Sequence, residues 1–310
     1  MVRHLLPLLL VPLGAAVAGA QPVFRSGVEL VHVGVTVVDG DGELVSGLTA
    51  EDFVLLEDGR EQRIAYFSRG LERDLETMPL HVGVLFDTSE SMGRDSRFAK
   101  TAAIRFLRSL DFAQDMTLVD FDTEVRVSRF VAADFPRLVE RLRGRRASGF
   151  TALYDALGVY LDGAFDQKGR KVLLLYTDGG DTRSRLPLDE LLDLVRASDV
   201  TVYAIGFQTT HRVAERMMQR RWLESIVELT GGRAFFPDGP DDLDGIYERI
   251  RAELSARYSL GYVSSDPTTD GAWRRVDVRL AGADPALEDV EIRAREGYFA
   301  PWLEDGAPAR

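Results

Sequence analysis

The sequence predicts an α/β protein, a doubly wound and mostly parallel sheet flanked by antiparallel β segments. Two observations carry this expectation. Between about residues 80 and 257, short near-continuous apolar runs alternate with longer segments of helical periodicity, the pattern of strands buried on both faces by crossover helices. On either side of that region, apolar and polar residues alternate with period two and are broken by Asp-Gly pairs, which marks antiparallel strands joined by tight turns.

Taken in order, the chain opens on a secretory signal pattern. Arg3 supplies the positive start, an apolar run extends from Leu5 to about Val17, and Ala18-Gly19-Ala20 precedes Gln21. Cleavage after residue 20 is expected, placing the mature chain in the periplasm or medium. An uncleaved anchor is the alternative, although the run falls short of the roughly 20 apolar residues a membrane span needs. No second run approaches that length, so no integral span is expected after cleavage.

Residues 21–76 read as a small β module and linker. Val28, Leu30, His32, Gly34, Thr36 and Val38 share one face of an alternating run, and Asp39-Gly40, Asp41-Gly42 and Asp58-Gly59 supply turns. Residues 69–78 are polar and aperiodic, as a linker would be. Residues 77–257 form the α/β domain, with buried strands expected at 81–86, 116–121, 171–176 and 201–207. Helices are expected near 98–110, 138–142, 152–164, 188–197, 215–229 and 243–256. In residues 258–310 short strands return at 258–263, 274–280 and 290–295. These could pair with the N-terminal strands into one discontinuous sandwich, since neither set closes a core by itself.

Composition excludes several function classes. Hydrophobic residues make up 45% and charged residues 28% of the 310, so the chain can bury a core. The net charge of −12 argues against nucleic acid, which is bound through a basic face. The absence of cysteine removes disulfides and thiol chemistry.

The candidate chemistry lies in Asp87-Thr88-Ser89-Glu90-Ser91-Met92-Gly93, directly after the first buried strand. Ligands of open parallel sheets bind beyond the carboxyl ends of the strands. The carboxylate of Asp87 and the hydroxyls of Ser89 and Ser91 form a hard, oxygen-only donor set, suited to Mg²⁺ or Ca²⁺ rather than zinc or copper. Alone, the loop is ambiguous, because either serine could cap the helix expected from Ser96. Thr151 starts another helix and alone would be an N-cap, and Asp178, ahead of Gly179-Gly180, alone would be a turn residue. All three loops can lie on one sheet edge, where they would combine two carboxylates with three hydroxyls.

In that order, D-T-S-E-S at 87–91, G-F-T-A-L-Y-D-A-L at 149–157 and L-Y-T-D-G at 175–179 resemble the metal-ion-dependent adhesion site of von Willebrand factor A domains. The resemblance covers residues 79–257, and all five motif positions are filled. The flanks E-D-F-V-L-L-E-D-G at 51–59 and R-E-G-Y-F-A at 295–300 resemble those of a bacterial group of exported proteins with such domains. The resemblance implies direct coordination of the cation by Ser89, Ser91 and, in the ligand-competent state, Thr151, with Asp87 and Asp178 acting chiefly through bound water. It implies Mg²⁺, with Mn²⁺ or Ca²⁺ as alternatives, and a protein partner that offers an exposed Glu or Asp. Some members of the family also shift the metal shell between Thr and Asp ligation and move the last helix. A rigid adhesion domain is the simpler expectation.

Two further readings are open. Asp120, Asp122 and Glu124 alternate along one strand-like run and could hold a second cation or form a solvated strand end. The latter is favoured, because charged residues are normally exposed. Asp181 is either a supporting partner of the site or a loop residue, and the loop role is favoured. An enzyme finds little support. Phosphatases of the haloacid dehalogenase type need a second acid two residues after the nucleophile, where this chain has Ser89. Asp120-Phe121-Asp122 has the acid pair but carries Glu124 where a Thr or Val is required. His32, His81 and His211 fit no zinc motif, and no nucleophile elbow or Walker loop occurs. The expected function is therefore cation-dependent protein binding, with a structural scaffold stapled by its metal as the alternative.

Overall fold

The computed structural model describes residues 30–70, 78–110, 113–207, 212–239, 241–282 and 289–302. The signal pattern at 1–20 and most of the linker lie outside them. The first strands are β1 (Val31–Val38), β2 (Phe53–Glu57), β3 (Arg60–Gln62) and β4 (Ile64–Arg69). An α/β unit follows: β5 (Leu80–Asp87), α1 (Ser96–Arg108), β6 (Asp115–Phe121), β7 (Val125–Val131), α2 (Phe135–Gly144) and α3 (Leu153–Phe165). It continues with β8 (Arg170–Thr177), α4 (Leu188–Ala197), β9 (Val200–Gly206), α5 (Val213–Leu229), β10 (Arg233–Phe235) and α6 (Asp242–Ala256). The chain then returns to strands as β11 (Tyr258–Tyr262), β12 (Trp273–Leu280), β13 (Glu291–Arg293) and β14 (Gly297–Phe299).

The α/β unit is built on a six-stranded sheet of order β10-β9-β8-β5-β6-β7, parallel except for the β6–β7 pair. The fold class expected from the alternating pattern is therefore observed. Strand pleating sends successive side chains to opposite faces. Leu80, Val82, Val84 and Phe86 of β5 pack in one core with residues of α1, α2 and α6. Leu85, with Leu173 and Leu175 of β8, packs in the other core with α3, α4 and α5. Central strands buried on both faces need apolar residues at every position, which explains why β5 and β8 read as continuous runs. At Gly83 an added Cβ would lie 2.3 Å from the Tyr160 ring, so the glycine lets α3 approach the sheet.

Two strands of the α/β unit were not expected from the pattern, nor was β14, which follows the strand expected at 290–295. β7 is an edge strand with Val127 and Val131 about half exposed, so no apolar run marks it. β10 has only three residues at the opposite edge. The helix expected from residue 138 begins at Phe135, with Pro136 in its first turn, where the missing N–H costs nothing.

The strands flanking the α/β unit pair with one another. β1 runs antiparallel to β11, and β11 to β4, in a sheet of order β13-β1-β11-β4. β2 pairs with β12 in a second sheet, β14-β12-β2-β3. Val33, Val35, Leu55, Tyr258, Leu260 and Tyr262 fill a shared core. The α/β unit is thus inserted between β4 and β11 of a sandwich whose strands come from both ends of the chain.

Candidate metal centre

β5 and β8 are parallel neighbours, with Phe86 opposite Tyr176, so their carboxyl ends adjoin. The chain leaves β5 toward α1 on one face of the sheet, whereas α3, which leads into β8, packs on the other. A crevice at the carboxyl edge results wherever successive connections take opposite faces. Asp87 ends β5 and Asp178 directly follows β8, and the two are 0% and 3% exposed.

Asp87 is held from both sides. The Ser89 N–H donates to Oδ1 at 2.9 Å, and the Thr177 hydroxyl donates to Oδ2 at 2.7 Å. Thr177 Oγ1 in turn accepts the Gly179 N–H at 3.1 Å, and Asp178 Oδ1 accepts that of Gly180 at 2.9 Å. Burial, with the nearby Asp178 charge adding to it, pushes the Asp87 carboxyl up to about 7 against the pull of these hydrogen bonds. A buried carboxylate whose ionisation is opposed by burial and by a neighbouring carboxylate is one that a cation would relieve.

Helix capping does not account for the hydroxyls. Ser89 precedes the 3-10 turn Glu90–Gly93 without a side-chain cap, and the N-cap residue of α1 is Asp95. Ser89 Oγ lies 3.0 Å from Ser91 Oγ. Neighbouring oxygens of an octahedral Mg²⁺ shell, with bonds of about 2.1 Å, stand about 3 Å apart, so the pair has the spacing of adjacent ligands. Thr151 is 5% exposed, and the N-cap position of α3 is Ala152. The Thr151 backbone pairs with residue 182 instead, its N–H donating to Thr182 Oγ1 at 3.0 Å and its carbonyl accepting the Thr182 N–H at 2.9 Å.

Backbone hydrogen bonds draw the three loops together. Ser148 N–H donates to the Thr88 carbonyl at 2.8 Å and Glu90 N–H to that of Gly149 at 3.1 Å. Gly149 has φ +79°, the left-handed region, and a Cβ there would lie 2.5 Å from Thr123 Oγ1, so only glycine fits this crossing.

The motifs missed Thr177, and Asp181, read as a loop residue, lies in a loop with a capping role that the motifs did not show. Asp181 accepts the Leu153 and Tyr154 N–H groups at 2.8 and 3.2 Å and the Ser184 hydroxyl at 2.6 Å, so it caps α3 from a distant loop. Asp155 answers by accepting the Arg185 and Leu186 N–H groups. A cap placed after the helix in sequence leaves no local signature.

Asp120 and Asp122 also need correction. They are 0% and 8% exposed rather than solvated. Arg126, Arg141 and Arg145 approach Asp120 at 3.3, 3.2 and 2.7 Å, and Arg126 grips Asp122 at 2.8 Å. The charges expected to need water are neutralised by cations brought in from β7 and the end of α2. Among the described residues, no group of three or more His, Asp or Glu side chains is disposed to hold a metal, so any cation here depends on hydroxyl donors.

A comparison with curated protein sequences gives no match. Similar solved structures include the pilus adhesin SpaC of Lactobacillus rhamnosus GG in its open conformation, 11% identical over 86% of this chain and 48% of that one, TM-score 0.48. Another is a von Willebrand factor type A protein from Catenulispora acidiphila, 14% identical over 91% and 76%, TM-score 0.45. A third, an aerotolerance-related membrane protein from Bacteroides fragilis, is 14% identical over 56% and 98%, TM-score 0.45. The profile of the von Willebrand factor type A domain matches residues 81–249, more than half of the chain. That span runs from β5 into α6 and carries the whole six-stranded sheet, and the chain belongs to the von Willebrand factor type A domain family.

Proposed function

We propose that the chain is an exported, non-catalytic protein-binding module. In this reading Asp87, Ser89, Ser91, Thr151 and Asp178 hold a divalent cation, Mg²⁺ ahead of Mn²⁺ or Ca²⁺, that engages a Glu or Asp of a partner. The observation that carries it is the pair of hydroxyls at ligand spacing beside a buried carboxylate whose ionisation is opposed by a second one. Such a set is all oxygen, which favours a hard cation, and Mg²⁺ accepts a partly water-mediated shell. Bound there, the ion would supply an incompletely neutralised positive centre for an incoming carboxylate.

Two features favour binding over the alternatives. The loops are already tied to one another by backbone hydrogen bonds, so a metal is not needed to staple them. His81, a possible general base by type, pairs with Asp115 and the Lys168 carbonyl at the opposite end of β5 from Asp87. Export rests on the pattern at residues 1–20, and no helix among the described residues is long and apolar enough to cross a membrane.

Calorimetric titration of Mg²⁺ into wild type and Ser89→Ala/Ser91→Ala tests the assignment. Affinity is expected to fall by about 10–100-fold or more, at least the loss seen when a supporting residue is removed. Equal affinity in both proteins would remove these loops from the reading.

A further inference from the structure

Beside the proposed metal centre runs a second feature that no motif announces, a cavity of about 660 Å³ between α1 and the end of α2. Arg97, Lys100, Arg105 and Arg108 line it from α1, facing Arg143, Arg145 and Arg146, and no carboxylate lines it. In a chain of net charge −12, seven cations gathered in one groove are not an average surface.

Internal pairing accounts for only part of this charge. Arg105 pairs with Asp244 and Arg145 with Asp120, while Lys100 donates to the Arg145 carbonyl. Arg97, Arg108, Arg143 and Arg146 are exposed and have no carboxylate partner among the described residues. Helix dipoles favour the cations in the last turns, Arg105 and Arg108 of α1 and Arg143 of α2. They disfavour Arg97, which sits in a first turn that has no acidic residue. Clustering like charges there costs stability unless an anion arrives.

The groove shares chain segments with the proposed metal loops. Gly93, at its lip, ends the loop that carries Ser89 and Ser91, and Ala147 lines it one residue before Ser148, which bonds Thr88. At 1.5 Å per residue α1 is about 20 Å long, which matches about six residues of extended peptide. A polyanion much longer than the groove would extend over the rest of a chain whose net charge is −12 and be repelled.

We propose that this groove binds an acidic stretch of the partner polypeptide, so that the carboxylate on the metal belongs to a segment with several further Asp or Glu residues lying along α1. The inference rests on the cation-dependent reading for one end of that segment, and the groove itself is testable without the metal.

The probe is a fluorescein-labelled oligoglutamate, followed by anisotropy at low salt with Mg²⁺ or with EDTA. Arg143→Glu/Arg146→Glu is expected to lower its affinity about tenfold or more in both conditions, as reversal of interfacial charges does. Its calorimetric Mg²⁺ affinity should stay within about twofold of wild type, since neither residue is placed among the donors. Arg221→Glu/Arg251→Glu, an equal charge change at exposed sites outside the groove, should leave peptide binding unchanged. Ser89→Ala/Ser91→Ala should remove only the Mg²⁺-dependent increment. If that increment is missing in wild type while the groove variant still loses affinity, the metal reading fails and the groove stands. Wild-type binding by Arg143→Glu/Arg146→Glu, or an equal loss in the control pair, would overturn the proposal. So would tight capture of a sulfated polysaccharide by the same arginines with oligoglutamate silent.

Discussion

Replacing Asp87 by asparagine should stabilise the metal-free protein while destroying its response to Mg²⁺. In the folded chain burial and the Asp178 charge raise the Asp87 carboxyl from 3.8 to about 7. Between those values the folded state holds the proton more tightly than the unfolded state, so stability falls as pH rises from about 4 to about 7 and is level beyond. A tenfold change in proton affinity corresponds to about 1.4 kcal/mol, so ionising Asp87 at pH 8 costs the fold on the order of 4 kcal/mol. The neutral amide of the Asp87→Asn variant would escape that cost but would accept one hydrogen bond fewer in place of those from Ser89 and Thr177, an offset of about 1–2 kcal/mol. The expected net gain is about 2–3 kcal/mol, which at about 2–4 °C per kcal/mol raises Tm by roughly 4–12 °C. Thermal unfolding in EDTA at pH 8 reads this directly, and near pH 4, where Asp87 is protonated, the gap between the two proteins should close. Adding Mg²⁺ should raise the wild-type Tm and leave that of Asp87→Asn unmoved, because binding to the folded state alone stabilises it. A variant less stable than wild type at pH 8 in EDTA would refute the reasoning that an uncompensated buried charge dominates this site.

Asp120→Ala strips the shared partner from Arg126, Arg141 and Arg145, whose side chains are 26%, 36% and 28% exposed. Breaking a buried pair costs about 3–5 kcal/mol, and solvent access of the guanidiniums reduces this to about 2–3 kcal/mol, readable as a lower urea midpoint. Asp181→Ala removes the carboxylate that accepts the first N–H groups of α3, at about 1–2 kcal/mol, and should also weaken Mg²⁺ binding through the loosened Thr151 and Asp178 loops. A calorimetric Mg²⁺ affinity equal to wild type in Asp181→Ala would show that the cap serves the helix alone.

Particular residues show where sequence reasoning succeeded and where it stopped. Strands β5 and β8 were legible because double-sided burial demands unbroken apolar runs, and such runs are local facts. Edge strand β7 was not, since half of its surface meets solvent and tolerates Arg126 and Arg129. The candidate donors Asp87, Ser89, Ser91, Thr151 and Asp178 stood out by type and by position after strands or before helices. Thr177 did not, because a threonine at the end of a buried strand looks like any β-branched residue until Asp87 is found 2.7 Å away.

By itself the sequence determined the α/β class, the acidic balance and the oxygen-bearing side chains of three loops, because these follow from residue type and short-range periodicity. Tertiary structure alone decided which charges meet. It buried Asp120 under three arginines, aimed Asp181 at a helix that precedes it in the chain, and gathered Arg97 and Arg146 into one groove. It also joined β1 to β11 and β2 to β12 across the inserted domain. Each of these contacts links residues far apart in the chain. Electrostatic and packing energies depend on distance in space, and a one-dimensional pattern does not contain that distance until the sheet order is known.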